Sequence, residues 1–340
     1  MDFSLKNLQN KAAEQGQRRL TNLLGLDFGA SGVKAVRVKK VKGGVQLLAA
    51  DILPVTDLHH PERPEIPKPL SAYYAALCAS IDDSIVRVFN QPLKEDDSIE
   101  EIARENLSVP ADYRVAFKVL DRQAGRRDSS VLGSAISDET VKHFLEIFAG
   151  GAPALHSMEI AGLSAFTAFW MGGSRLPQNE TVCLIEAGAR YTYIGFFHKN
   201  RLLLANRFAV GSETLSQQVQ KDLGVDADMA RTVLSGGSVD ISGPVRTALG
   251  PFLKQLSIYR EFIERQNKTQ LTGIYLSGGL AASPDWRSAL ADLLDLEPNV
   301  WNPFDRVIVP DDLDLARFKG QESRFAAAMG AALAGVEGGS

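Results

Sequence analysis

Apolar residues come in short runs through the first sixth of the chain. Leu23–Phe28, Val33–Val38 and Val45–Leu53 are separated by Gly29-Ala-Ser-Gly32 and Lys42-Gly-Gly44. That pattern predicts three strands joined by two hairpins. Pro54 to Pro69 carries five prolines and predicts a loop, with His59 and His60 in it but no further metal ligands nearby. Leu70 to Ala79 is alanine-rich and predicts a helix. A strand over Ser84–Phe89 follows, then a helix capped by Ser98. Strands over Val115–Leu120 and Val131–Ala135 flank the basic loop Gly125-Arg-Arg-Asp128. Ser137 caps the next helix, with Asp138 and Glu139 in its positive first turn and Val141, Phe144, Leu145 and Phe148 on its buried face. Ser157 to Trp170 predicts another helix, with Glu159 near its start.

The second half begins with the same rhythm. Thr181–Glu186, Tyr191–Phe197 and Leu202–Ala209 predict three more strands. Ser212 caps a helix carrying Leu215, Val219 and Leu223, and Asp226 starts another. Pro251 predicts the first turn of a further helix, whose buried stripe is Phe252, Leu256, Tyr259 and Ile263. Ile274–Leu276 is a strand ending in Ser277-Gly-Gly279. A helix from Ser283-Pro284, a short strand at Val300 and an alanine-rich helix over Phe325–Leu333 complete the chain. Residues 1–22 are polar and predict a tail or frayed helix, and Gly335–Ser340 a loose end.

The repeated rhythm carries chemistry. Leu24-Gly-Leu-Asp27-Phe-Gly29-Ala-Ser31-Gly32-Val-Lys34 and Val182-Cys-Leu-Ile-Glu186-Ala-Gly188-Ala189-Arg-Tyr-Thr192 are each an apolar strand, a carboxylate, x-Gly and a second strand. Two such hairpins suggest two halves facing one anionic ligand with a metal between them. In the first, Gly29 and Gly32 let backbone N–H groups approach phosphate, Ser31 offers a hydroxyl and Lys34 a positive charge. Asp27 cannot bind phosphate and would hold Mg²⁺ through water. In the second, Gly188 and Ala189 would give backbone donors and Thr192 a hydroxyl, while Glu186 would hold the metal or the attacking water. Gly278 and Gly279 suit a flat base or ribose, and Glu213 could bond a ribose hydroxyl. Each feature has a plainer structural reading as a turn or a helix start, and Glu159 is read mainly that way.

Composition narrows the field. The 340 residues fit about two domains. The net charge of −4, from 37 basic and 41 acidic residues, argues against general nucleic-acid binding. Cys78 and Cys183 have no CxxC partner, so neither a disulfide framework nor a zinc site is expected. No apolar run reaches the ~20 residues needed to span a bilayer, and the first residues show no signal-peptide core.

Taken in order, these residues resemble the actin-like ATPase superfamily, and within it the type IV pilus assembly protein PilM family. The marks are Leu26–Lys34, the insert at 81–152, Asn206-Arg-Phe-Ala-Val-Gly211-Ser-Glu213, Leu276-Ser-Gly-Gly279 and Asn302-Pro-Phe304. The resemblance implies an α/β fold of two ribonuclease-H-like domains around a nucleotide cleft, with a small α+β insert. It divides the chain into a tail (1–22), a first core domain (23–80 and 153–180, to which a final helix over 322–335 could return), the insert (81–152) and a second domain (181–340) with a helical subdomain over 212–270. It implies ATP with Mg²⁺ as cofactor, bound by Asp27, Gly29, Ser31, Gly32, Lys34, Gly188, Ala189, Thr192, Glu213, Gly278 and Gly279. The metal residues would be Asp27 and Glu186, the latter also the catalytic candidate. The implied role is that of a cytoplasmic adaptor on the inner-membrane platform of a pilus or secretion machine. It would grip the short cytoplasmic tail of a PilN-like membrane protein, touching the membrane only through that partner. The alternatives are an active ATPase whose cleft closure drives partner exchange, and a GspL-like or FtsA-like component. The sequence departs from the family pattern at Glu186, where the family has Asp, at Arg190, and at Leu280, where the adenosine turn has a third glycine.

Overall fold

The computed structural model describes residues 20–54, 62–94, 97–121, 129–171, 180–199, 201–236 and 239–337. The expectations for residues 1–19, for His59 and His60 and for the Gly125–Asp128 loop lie outside these residues. The chain divides into two compact units. One takes its described residues from 1–174, 303–319 and 325–340, the other from 175–302 and 320–324.

The first unit opens with β1 (Asn22–Gly29), β2 (Gly32–Val41) and β3 (Gly44–Leu53), an antiparallel meander as the apolar runs require. Next comes β4 (Tyr74–Ala79), which pairs in parallel with β1. The expected helix over Leu70–Ala79 is therefore a strand, preceded by one 3₁₀ turn at Lys68–Leu70. Its small apolar residues are buried whichever way they face, so they show no alternation to betray a strand.

The following segment runs β5 (Ile85–Gln91), α1 (Ile99–Leu107), β6 (Tyr113–Asp121), β7 (Ser129–Ser137) and α2 (Asp138–Ile147). The three strands form a separate antiparallel sheet in the order β5-β7-β6. Its small core is Phe89, Ala103, Leu107, Val115, Val131 and Ala135. Both helix starts are capped as the sequence suggests, with Ser98 Oγ accepting from Glu101 N–H and Ser137 Oγ from Thr140 N–H.

β8 (Ala154–Ile160) then joins β4 in parallel, and α3 (Ala161–Met171) begins only after it. The helix expected from Ser157 starts four residues late because Ser157–Ile160 completes the sheet. Its order is β3-β2-β1-β4-β8.

The second unit repeats this plan with β9 (Thr181–Ala187), β10 (Thr192–His198) and β11 (Arg201–Phe208) as the meander. α4 (Ser212–Leu223), α5 (Ala227–Gly236) and α6 (Ser242–Asn267) follow, then β12 (Leu271–Ser277), α7 (Pro284–Leu294) and β13 (Pro298–Val300). The order is β11-β10-β9-β12-β13, the same as in the first sheet. Two expectations change here. Ser212 is the first helical residue of α4, and Gly211 is its cap. Pro251 lies inside the 26-residue α6 rather than at its start. Gly250 before it has no Cβ to meet the proline ring, which lowers the usual cost of that dipeptide in a helix.

α8 (Ala326–Glu337) returns to the first unit and packs on β1, β2, β4 and α3. Its small side chains permit very close approach. A Cβ on Gly25 would overlap the Ala328 carbonyl, and one on Gly330 the Ser164 carbonyl. Ser164 Oγ also donates to Ala327 O at 2.8 Å. Among the described residues no helix is long and apolar enough to cross a membrane.

Candidate functional site

Strand register places the first set of residues. Asp27 on β1 is the cross-strand partner of Lys34 on β2, so both side chains leave the same face. Lys34 Nζ lies 3.9 Å from Asp27 Oδ2, and the two side chains are only 9% and 10% exposed. The ammonium also sits over Gly29, where an added Cβ would lie 2.6 Å from Nζ. Gly32 has φ +111°, and a Cβ there would come within 2.9 Å of Leu53 O, so the tight turn requires glycine. Ser31 is exposed at that turn.

The same register extends across the parallel strands. Asp27 pairs with Cys78 on β4, and Cys78 with Glu159 on β8. Lys34, Asp27, Cys78 and Glu159 thus form one row on one face, near the carboxyl ends of β1, β4 and β8. Ligands of parallel sheets gather at such ends. Glu159 is fully buried on a strand, not at a helix start. Sequence reasoning undervalued it because the strand itself was missed.

The second hairpin is an altered copy. Glu186 on β9 pairs with Tyr193 on β10, so a buried tyrosine stands where the first copy has Lys34. On its other side Glu186 pairs with Ser277 on β12. The fully buried Ser277 hydroxyl donates to Glu186 Oε2. A Cβ on Gly278, whose φ is +84°, would lie 2.8 Å from Glu186 Oε1 and overlap the Ala187 carbonyl. The longer carboxylate thus lies against the end of β12.

Two expected donors in this turn are committed to the fold. Gly188 N–H bonds Tyr191 O at 2.9 Å. Thr192 is fully buried and its hydroxyl donates to Val210 O at 2.8 Å. The turn instead presents carbonyls to α4. Gly188 O accepts from Ser212 N–H at 3.1 Å and Ala189 O from Glu213 N–H at 2.9 Å. Gly211 allows this approach, since a Cβ there would overlap Ala189 O. Sequence reading quoted Gly211 but gave it no role.

Within the second unit a cavity of about 490 Å³ opens between the start of α4, α5 and the turn after β12. Glu213, Gln217, Arg231, Gly279, Leu280 and Ser283 are among its lining residues. That volume suits a small-molecule site of ordinary size. Gly279 and Glu213 were expected at such a site; the α4 and α5 side chains were not, because surface glutamines and arginines carry no sequence signal. Nothing lies within 4 Å of a Cβ built on Gly279, whereas Gly278 is walled in by backbone. The two glycines therefore differ: Gly278 makes the turn and Gly279 borders the open space. Leu280 is 5% exposed, and most of its side chain is withdrawn into the core. Among the described residues, no group of three or more His, Cys, Asp or Glu gathers to hold a metal.

Two units of identical strand order, each carrying a glycine turn and a carboxylate at the end of its parallel strands, define an actin-like α/β protein. The family model for the type IV pilus assembly protein PilM matches residues 81–336, and the chain belongs to that family. A PilM-PilN type IV pilus biogenesis complex superposes with TM-score 0.73 at 20% identity, covering 94% of this chain and 100% of the other. A Bacteroides thetaiotaomicron protein with an actin-like ATPase fold and unknown function gives 0.45 at 12% identity, covering 91% and 99%. The ethanolamine utilization protein EutJ from Carboxydothermus hydrogenoformans gives 0.45 at 15%, covering 97% and 97%. No curated protein sequence matches the chain.

Proposed function

We propose that this chain is a cytoplasmic actin-like adaptor of a type IV pilus inner-membrane platform. It binds the short cytoplasmic tail of a PilN-like membrane protein, with ATP as a structural ligand. Membership of the PilM family over residues 81–336 carries the reading. Likeness to a complex that contains PilN supports the choice of partner. The tail is assigned to the segment 81–152 and the core sheet beside it, and the membrane is reached through that partner.

For the nucleotide, the residues fit the group unequally. Asp27, Gly29, Ser31, Gly32 and Lys34 suit phosphate, with Asp27 holding Mg²⁺ through water. The cavity at Glu213 and Gly279 suits a nucleoside, with Glu213 toward a ribose hydroxyl. Glu186 is engaged by Ser277, and Gly188 N–H and the Thr192 hydroxyl are spent on the fold. That pattern favours retention of the nucleotide over its rapid hydrolysis. Bound nucleotide supplies negative charge that Lys34 neutralises at the turn.

The test is a pull-down of a single-span membrane protein's cytoplasmic tail by the full chain, with a phosphate-release assay beside it. Capture of the tail with background turnover fits the proposal. No capture, or brisk turnover lost in Glu186→Gln, contradicts it.

A further inference from the structure

The far end of the first sheet carries a different kind of surface. β2 is 10 residues long, so its hairpin with β3 lies about 30 Å from the Gly29–Gly32 turn. Lys39, Lys40 and Lys42 are all exposed there; Lys39 and Lys40, adjacent on β2, leave opposite faces of the strand, and Lys42 sits in the turn, so the three ring the hairpin tip. Among the described residues no carboxylate pairs with any of them; Lys40 Nζ reaches only the Val336 carbonyl, at 3.4 Å.

An aliphatic strip flanks these lysines. Ile308 N–H bonds Val45 O at 2.8 Å and Ile308 O accepts from Leu47 N–H at 2.9 Å, which fixes residues 307–309 along the edge of β3. Ile308 is 46% exposed and Val309 36%. The Ile308 Cδ1 atom lies 3.7 Å from where a Gly44 Cβ would be, at the tip itself. The next charges along the chain, Asp311 and Asp312, are negative, so the basic surface is confined to the hairpin.

We propose that this corner, Lys39, Lys40 and Lys42 with Ile308 and Val309, docks on anionic phospholipid headgroups. Exposed ammonium groups without carboxylate partners suit lipid phosphate, and the adjoining aliphatic side chains suit the headgroup–acyl boundary. None of the five corner residues is itself aromatic, so the corner alone offers no platform on which a nucleic-acid base could stack. Each lysine near an anionic leaflet strengthens association roughly five-fold, so three give on the order of 100-fold. This is a weak contact alone, and the chain's net charge of −4 gives no long-range attraction. Held beside the membrane by a partner tail, as the proposed function has it, the same contact acts at a high effective concentration and orients the unit.

The experiment is co-sedimentation of the full chain with vesicles of phosphatidylglycerol and phosphatidylcholine in equal parts, without any partner protein. Sedimentation at low ionic strength is expected, with release by salt and none on pure phosphatidylcholine. The Lys39→Gln, Lys40→Gln, Lys42→Gln triple variant should lose at least ten-fold in vesicle affinity. Lys42→Glu alone, at an exposed turn, provides a second variant should the triple variant misfold. Ile308→Ser should weaken binding while leaving its salt dependence. Equal binding to neutral vesicles, no binding to anionic ones, or lysine variants that bind as wild type would each overturn the proposal. Because no tail is present, such a failure leaves the adaptor reading intact.

Discussion

Lys34 Nζ lies 3.9 Å from Asp27 Oδ2, across the two strands whose turn is the candidate phosphate site. Each side chain is nearly out of water, so each charge depends on the other. Removing one partner should cost more than removing both. We expect Lys34→Met to destabilise the protein by about 2–4 kcal/mol, and the Lys34→Met, Asp27→Asn double variant to recover at least ~1 kcal/mol of that. Urea denaturation of the four corners of the cycle measures the coupling. Additive effects would show that the pair is not an energetic unit.

Gly279 allows the cavity to be separated from the fold. Its Cβ position is open for 4 Å, so Gly279→Leu should leave thermal stability nearly unchanged. The same side chain would project beside Glu213 and Leu280 into the 490 Å³ space. Nucleotide-induced thermal stabilisation should then disappear. Full stabilisation by MgATP in this variant would place the nucleoside elsewhere.

The close packing of α8 on α3 gives a contrary use of the same substitution type. In an isolated helix Gly→Ala gains about 1 kcal/mol. At Gly330 the added Cβ overlaps the Ser164 carbonyl, which is backbone and cannot swing away. Overpacking should win, and Gly330→Ala should destabilise by roughly 2 kcal/mol or more. A raised melting temperature would refute the close approach.

Asp138 sets a pH response in the segment 81–152. Hydrogen bonds from Arg114, then from Lys142, hold its carboxyl below the ordinary range. A group lowered in the folded state adds stability above the ordinary carboxylate range. That stability is lost as pH falls through the lowered folded value. The protection factors of amides along β6 and α2, taken against the intrinsic exchange rate at each pH, should therefore fall on acidification, and Asp138→Asn should flatten that dependence. An unchanged pH profile in the variant would remove Asp138 as the cause.

Much of this was readable from residues. The first hairpin was legible because Asp27, Gly29, Gly32 and Lys34 are spaced for one turn, and the strand-register partnership of Asp27 and Lys34 follows from that spacing. The repeat at Glu186 was legible for the same reason, including its departure from Asp. The caps at Ser98 and Ser137 were local and therefore visible. What was lost depends on tertiary neighbours. Tyr74–Ala79 is a strand because β1 lies beside it in space, and Ala154–Ile160 because β4 does; neither segment shows a strand period of its own. Missing β8 hid the row that joins Glu159 to Asp27. The capture of Glu186 by Ser277 and the burial of Thr192 also join residues distant in sequence, which no local pattern announces.

The central claim is that the chain is a PilM-family adaptor for a membrane protein's cytoplasmic tail. The most direct measurement is fluorescence anisotropy of a labelled peptide with the sequence of a PilN-like protein's cytoplasmic tail, titrated with the full protein. The account predicts saturable binding with Kd near the micromolar range. No saturation at protein concentrations of roughly 1 mM would contradict it.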